Sequence, residues 1–328
     1  MNSTRRGLLA GSAALSVLAS FPKARAETIQ KINATTRVLD VNGKAAKVFG
    51  LVGPNGAPGV TLNPGERFAV TVDNQAGTPT IIHWHGQTPD WKQDGFPWPQ
   101  TPPIAAGASK AYDFAATPGT YWMHSHQGMQ EQQLMAAPLI VHDQASLAAD
   151  TQEVVMLLHD FSFKSPDELL AGVTKQGGMM GGMSMGAGGS MAGMDMSSGN
   201  SMSGMNMGSN GSMAGMGMSA GSGMMSMGSG AGMSSADLND ITFDAFLAND
   251  RTLNDPDIIR TTASQNVRLR IINGAASTNF WVDLGALNGK VIAVDGHDVV
   301  PVSGSRFPLA MAQRVDILLR LPATGAYP

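Results

Sequence analysis

The sequence predicts an all-β fold, laid out as tandem Greek-key β-sandwiches with a disordered, methionine-rich insertion. Three observations predict it. Short apolar runs alternate with polar residues, between turns drawn from 40 Gly and 18 Pro, with only 6% aromatic residues. One alternating strand occurs twice, about 200 residues apart, as Glu66–Asn74 and Asn266–Asn273. Between the two copies, residues 176–235 abandon alternation altogether.

Residues 1–26 read as an export signal. Arg5-Arg6 precede an apolar stretch that runs to Phe21, and Ala24-Arg25-Ala26 is a small-x-small cleavage site. The paired arginines point to the twin-arginine route, hence to the periplasm. No later stretch is apolar and long enough to span a bilayer. Net charge is −4; without the four cations of the signal, 17 basic residues face 25 acidic ones, a net of −8. That balance excludes nucleic acid as a partner. No cysteine is present, so an exported chain of this kind has no disulfide framework.

A first domain is expected over 27–148. From Thr36 onward, short strands alternate with turns such as Asn55-Gly56 and Pro64-Gly65. Arg67–Val72 puts Phe68, Val70 and Val72 on one face. Pro79–Gly86 is the next strand. A loop rich in Pro and Trp follows from Gln87 to Gly107, and then come strands at Lys110–Phe114, Thr120–His126 and Ala136–His142. A second domain, 149–328, opens at Glu153 with Val154-Val155-Met156-Leu157-Leu158. Its copy of the repeated strand leads to Asn279-Phe280-Trp281-Val282-Asp283, without histidine. The second domain thus repeats the scaffold and omits the ligands, and reads as a spacer that positions its neighbours.

The insertion, 176–235, is nearly all Gly, Ser, Ala and Met. It cannot bury a core and should be disordered. Seventeen of the 23 methionines lie within it. A flexible linker needs Gly and Ser but not Met. Thioether sulfur selects Cu(I). Five Met-x-Met pairs recur: Met183 with Met185, Met194 with Met196, Met205 with Met207, Met216 with Met218, and Met225 with Met227. That spacing would let neighbouring sulfurs share one cuprous ion.

The chemistry centres on His83-Trp84-His85-Gly86 and His124-Ser125-His126. On a strand, a one-residue gap puts both imidazoles on one face, roughly 7 Å apart. Two such strands side by side would aim four nitrogens at one small volume. Imidazole suits copper, zinc, iron and nickel, so ligand type alone leaves the metal open. His142, His159 and His297 are isolated and read as structural or surface residues. Asp94, in Asp94-Gly95, reads equally as a turn residue and as an acid that orients water or relays a proton near the histidines.

These motifs, with Gly128–Glu131, Pro138–Val141 and Pro308–Arg314, resemble the multicopper oxidases, most of all the bacterial periplasmic copper-resistance type. The resemblance implies cupredoxin domains. It makes His83 a ligand of a type-2 copper, and His85, His124 and His126 ligands of a type-3 pair. It implies a donor oxidised one electron at a time and four-electron reduction of O2 to water. Copper ions, O2 and a reducing substrate (Cu(I), Mn(II) or a phenol) are then the partners, and copper tolerance the purpose. It also exposes a gap. The family's trinuclear site takes eight histidines, and its type-1 copper takes a cysteine. Here half of the cluster ligands and the whole type-1 site are missing. The expectation is a chain without the third cupredoxin domain, inactive alone. The alternative is a non-enzymatic periplasmic protein that binds and sequesters copper.

Overall fold

The computed structural model describes residues 30–149, 151–178, 241–261, 265–322 and 325–327. The signal segment lies outside them. So do the ten paired methionines expected to bind Cu(I): Met183, Met185, Met194, Met196, Met205, Met207, Met216, Met218, Met225 and Met227.

Strands begin at Gln30, earlier than Thr36, with β1 (Gln30–Val41) and β2 (Lys44–Val52). Asn42 and Gly43, at φ 54° and 82°, form the two-residue turn between them. Positive φ at both positions matches the twist of a hairpin. β3 (Val60–Leu62), β4 (Arg67–Asn74), β5 (Ile82–His85), β6 (Ser109–Ala115), β7 (Gly119–Ser125) and β8 (Ala136–Val141) complete the first sandwich. One sheet has the order β2-β1-β4-β6 and the other β3-β8-β7-β5. Period-two alternation fills the space between them. Phe68, Val70 and Val72 meet Trp84, Tyr121, Met123 and Leu139 in one core. The predicted strands fall within one or two residues of these bounds, except that β5 is shorter than Pro79–Gly86. Before β5, Thr80 bridges to Ile104 instead of joining the ladder.

A short helix, α1 (Gln144–Ala148), follows, capped by the Asp143 carboxylate, which accepts from Ser146 N–H. The second sandwich comprises β9 (Thr151–Phe161), β10 (Ala245–Ala248), β11 (Asn266–Asn273), β12 (Phe280–Asp283), β13 (Gly289–Val294), β14 (His297–Gly304), β15 (Arg306–Leu309) and β16 (Arg314–Arg320). Its large sheet has the order β10-β9-β11-β16-β13-β14, faced by the pair β12-β15. Ile271, Val291, Phe307, Leu309 and Ile317 form its core.

The repeat seen in the sequence is a repeat of topology. β4 pairs parallel with β1 and antiparallel with β6; β11 pairs parallel with β9 and antiparallel with β16. Each copy ends on a fully buried asparagine. Asn74 donates to the carbonyls of Thr78 and Ile104 and accepts from Ala76 N–H. Asn273 donates to Thr278 and Ala310 and accepts from Ala275 N–H. A buried amide that satisfies a turn and a returning strand explains why both strands end on this residue.

The two sandwiches share one compact unit. Val41, Val48 and Leu134 pack with Phe161, Ala245 and Leu247, and Trp122 and Ala136 pack with Leu157 and Ile272. Beside these contacts lies a buried charge network. Arg270 reaches Asp316 (3.1 Å), Glu153 (2.5 Å) and the Thr120 hydroxyl (2.8 Å). Thr120 donates to Asp316, and Arg268 also binds Asp316. The helix α2 (Pro166–Gly178) belongs, beyond Pro166, to a second unit. It runs two residues past the predicted start of the insertion at Gln176. Asp167 and Glu168 in its first turn suit the positive end of its dipole. Among the described residues no helix is long and apolar enough to cross a membrane.

Candidate metal centre

β5 and β7 lie antiparallel at one edge of the first sandwich, with His83 opposite His124 and His85 opposite Trp122. Alternation dictates what each face shows. Ile82 and Trp84 of β5, and Tyr121 and Met123 of β7, enter the core. His83 and His85, with Trp122, His124 and His126, are left on the other face. His126 lies one residue beyond β7, where its N–H donates to the Ile81 carbonyl.

Four imidazoles therefore converge. One nitrogen from each of His83, His85 and His124 lies within 4.8 Å of the other two. The His126 ring is 4.7 Å from that of His124 and 5.2 Å from that of His83. Within each pair the ring centroids are 5.8 Å and 4.7 Å apart, closer than parallel side chains would stand, because the rings lean inward.

Two acids fix which nitrogens are offered. His83 Nδ1 lies 3.0 Å from the Asp94 carbonyl oxygen and 3.3 Å from its carboxylate. A carbonyl can only accept, so Nδ1 carries the proton and Nε2 keeps its lone pair. His124 Nδ1 donates to Glu131 at 2.8 Å, with the same result. The freed His124 Nε2 sits 3.2 Å from His85 Nδ1, so these two nitrogens face the same small space. Carboxylates and carbonyls behind histidine ligands are the usual way a metal site fixes ring and tautomer.

The loop that carries Asp94 is packed tightly. A Cβ on Gly95, at φ +71°, would lie 1.7 Å from the Ile82 carbonyl oxygen. Trp84 Nε1 donates to the Gln93 carbonyl, and Phe96 sits edge-on to His83 and His126. On the other side, Gln130 ties the two histidine strands together. Its side chain accepts from Thr80 and Ser125 and donates to Thr78 and to the Pro79 carbonyl.

Burial drives the ring pKa values down. His85 falls to about 3, chiefly by desolvation, with the Arg314 cation and the neighbouring rings adding to it. His126 falls to about 4, by desolvation and then by His124 and His83. Desolvation also lowers His83, against the opposing pull of Asp94. Neutral imidazole is the form that binds metal, so these rings stay competent in mild acid. A donor set of closely spaced neutral nitrogens, two with a fixed tautomer, fits copper.

Asp94 thus stands beside the cluster, in contact with His83. His142 hydrogen-bonds Glu153 (2.8 Å), His159 is buried against the Gly274 carbonyl, and His297 is exposed on β14; none joins the cluster. Glu131, Gln130, Trp122 and Arg314 had no role assigned from the sequence. Glu131 and Gln130 fall within or beside a stretch that carried the family resemblance, and that was their only signal. Arg314 comes from the second sandwich. It lies against the Tyr121 ring (5.8 Å), and its guanidinium fills the space a Cβ on Gly86 would need.

Two family models, both described as multicopper oxidase, match residues 33–146 and 194–328. The chain is 27% identical over 275 residues to the multicopper oxidase MmcO of Mycobacterium tuberculosis, covering 83% of this chain and 47% of the relative. It is 28% identical over 281 residues to copper resistance protein A of Escherichia coli, covering 83% and 43%. The chain thus spans less than half the length of these curated relatives. Among solved structures it resembles Fet3p, a multicopper oxidase that functions in iron import (TM-score 0.63, 17% identity, 90% of this chain and 45% of that one). It also resembles the blue copper oxidase of Nitrosomonas europaea (TM-score 0.60, 19% identity, 90% and 76%). These likenesses carry the cupredoxin-like fold. With two matches to one family spread over most of its length, the chain belongs to the multicopper oxidases.

Proposed function

We propose that this chain forms the amino-terminal wall of the oxygen-reducing centre of an exported copper oxidase. His83 holds the type-2 copper, and His85, His124 and His126 hold the type-3 pair. The observation that carries this reading is the convergence of four imidazoles, with Nε2 of His83 and of His124 freed by Asp94 and Glu131. Copper bound there supplies one-electron redox chemistry and the reduction of O2 to water. The chain's own residues do the rest. Burial favours the neutral form of His83, His85 and His126, Phe96 covers His83 and His126, and the Asp94 carboxylate is a place to hold a proton beside His83.

The donor we favour is Cu(I), with Mn(II) and phenols as competitors. Similarity to copper resistance proteins supports it. So does the insertion, whose Met-x-Met pairs, from Met183 and Met185 to Met225 and Met227, would gather cuprous ions. A Cu(I) titration of the chain with 176–235 deleted should show fewer ions bound; unchanged stoichiometry would end that part. The leader reading supports twin-arginine export to the periplasm.

The absence of cysteine favours a second reading for these residues taken alone, a copper-binding protein without turnover. No thiolate here can build a type-1 site. Elemental analysis after copper loading tests the site itself. The double variant His85→Ala, His124→Ala should lose the copper that the unaltered chain retains, and equal copper in both would overturn the proposal. An oxygen electrode then separates the two readings. O2 uptake with Cu(I) or a phenol marks an oxidase, and its absence in a copper-loaded chain marks the binder.

A further inference from the structure

We infer that Trp122 is a positioning residue for the copper ligands, and that the second sandwich braces the imidazole cluster through it. This rests on the copper reading above.

Trp122 stacks on His124 with centroids 4.0 Å apart and planes 11° from parallel, and on His85 at 5.2 Å and 29°. One indole thus covers two rings. It belongs to one buried cluster with Ala136 of its own sandwich and Leu157 and Ile272 of the second, against which Val155 and Ala312 pack. It is 1% exposed, and its Nε1 has no hydrogen-bond partner among the described residues. Packing alone therefore sets its orientation. Contact runs without a break from the second sandwich through Trp122 to His85 and His124.

His85 depends on that contact more than the others. His83 and His124 have Nδ1 tied to an acid. His85 has Nδ1 3.2 Å from the cluster-facing His124 Nε2 and, among the described residues, no hydrogen bond to a carboxylate. The torsion that turns an imidazole about its Cβ–Cγ bond is broad and weakly restrained. Without a flat neighbour the ring plane would swing, and the lone pair with it. Trp122, directly opposite on the ladder, is that neighbour.

The experiment uses the full chain and Cu(II) alone, read by affinity and by the copper EPR spectrum. Trp122→Leu should weaken binding about tenfold or more, in the range for loss of a supporting residue, and change the hyperfine pattern. Trp122→Phe, which keeps a flat ring, should restore most of both. Ile272→Ala, which removes a side chain of the same buried cluster on the second sandwich, should shift the spectrum in the same direction. Ile317→Ala, an equally buried truncation in the same sheet outside that cluster, should lower stability and leave the spectrum alone. Unaltered affinity and spectrum in Trp122→Leu would overturn the inference. If that variant does not fold, an unaltered spectrum in Ile272→Ala does so. Failure of the parent chain to bind copper would instead sink the copper reading.

Discussion

At the scale of single residues, the site is defined by which nitrogen each ring offers. Glu131→Ala should lower Cu(II) affinity by about tenfold or more, because His124 loses the acceptor that holds its tautomer. Glu131→Gln keeps an acceptor oxygen and should lose less; competition titration against a chelator separates the two. Acid should act in a definite window. In the unfolded chain a histidine takes a proton near pH 6.5, whereas folded His85 and His126 wait until about 3 and 4. Between those limits the unfolded state binds more protons, so the metal-free chain should lose stability as pH falls from about 6.5 toward 4. Urea midpoints at several pH values measure this, and His126→Asn should flatten part of the slope. The ligands were legible in the sequence because a one-residue gap on a strand admits one outcome. Glu131 was not legible. Its partner His124 is seven positions away across a turn, and nothing in the composition of that turn says where the carboxylate points.

At the scale of the element, period-two alternation made β4 readable, since a slip of one residue would carry Phe68 from the core to the partly exposed face. β5 was harder. Its first predicted residues leave the ladder, because Thr80 pairs with Ile104 and Gln130 instead. The paired asparagines that end β4 and β11 were visible as letters but not as knots, since one acceptor of each lies far on in the chain, 30 residues for Asn74 and 37 for Asn273. Asn273→Ala should cost about 3 kcal/mol of stability, as a buried turn amide and two carbonyls lose their partner. Asn74→Ala should cost the same and also weaken copper binding, because its bonds hold the segments flanking β5. Denaturant unfolding and copper titration of both variants check the pair. Gly95→Ala should likewise displace Asp94 from His83, since its Cβ has no room against Ile82.

At the scale of the molecule, the sequence showed that the second half repeats the first without its ligands. It did not show how the halves meet. That contact is made by Arg270, Asp316, Glu153 and Thr120, drawn from four different strands, and by Trp122. Arg270→Met should destabilise the chain by about 1–3 kcal/mol, because buried Asp316 keeps only Arg268 and Thr120, and half-buried Glu153 only His142. A urea series measures the loss. The repeated sheet order carries one more consequence. Two residues join β1 to β2, while 83 separate β9 from its counterpart partner β10. By chain statistics the longer closure costs roughly 3 kcal/mol more. The amino-terminal half should zip up first in refolding, while the other half is still searching for its hairpin. The imidazole wall would then be standing before the structure that steadies it, and trimming 179–240 should hasten the later event alone.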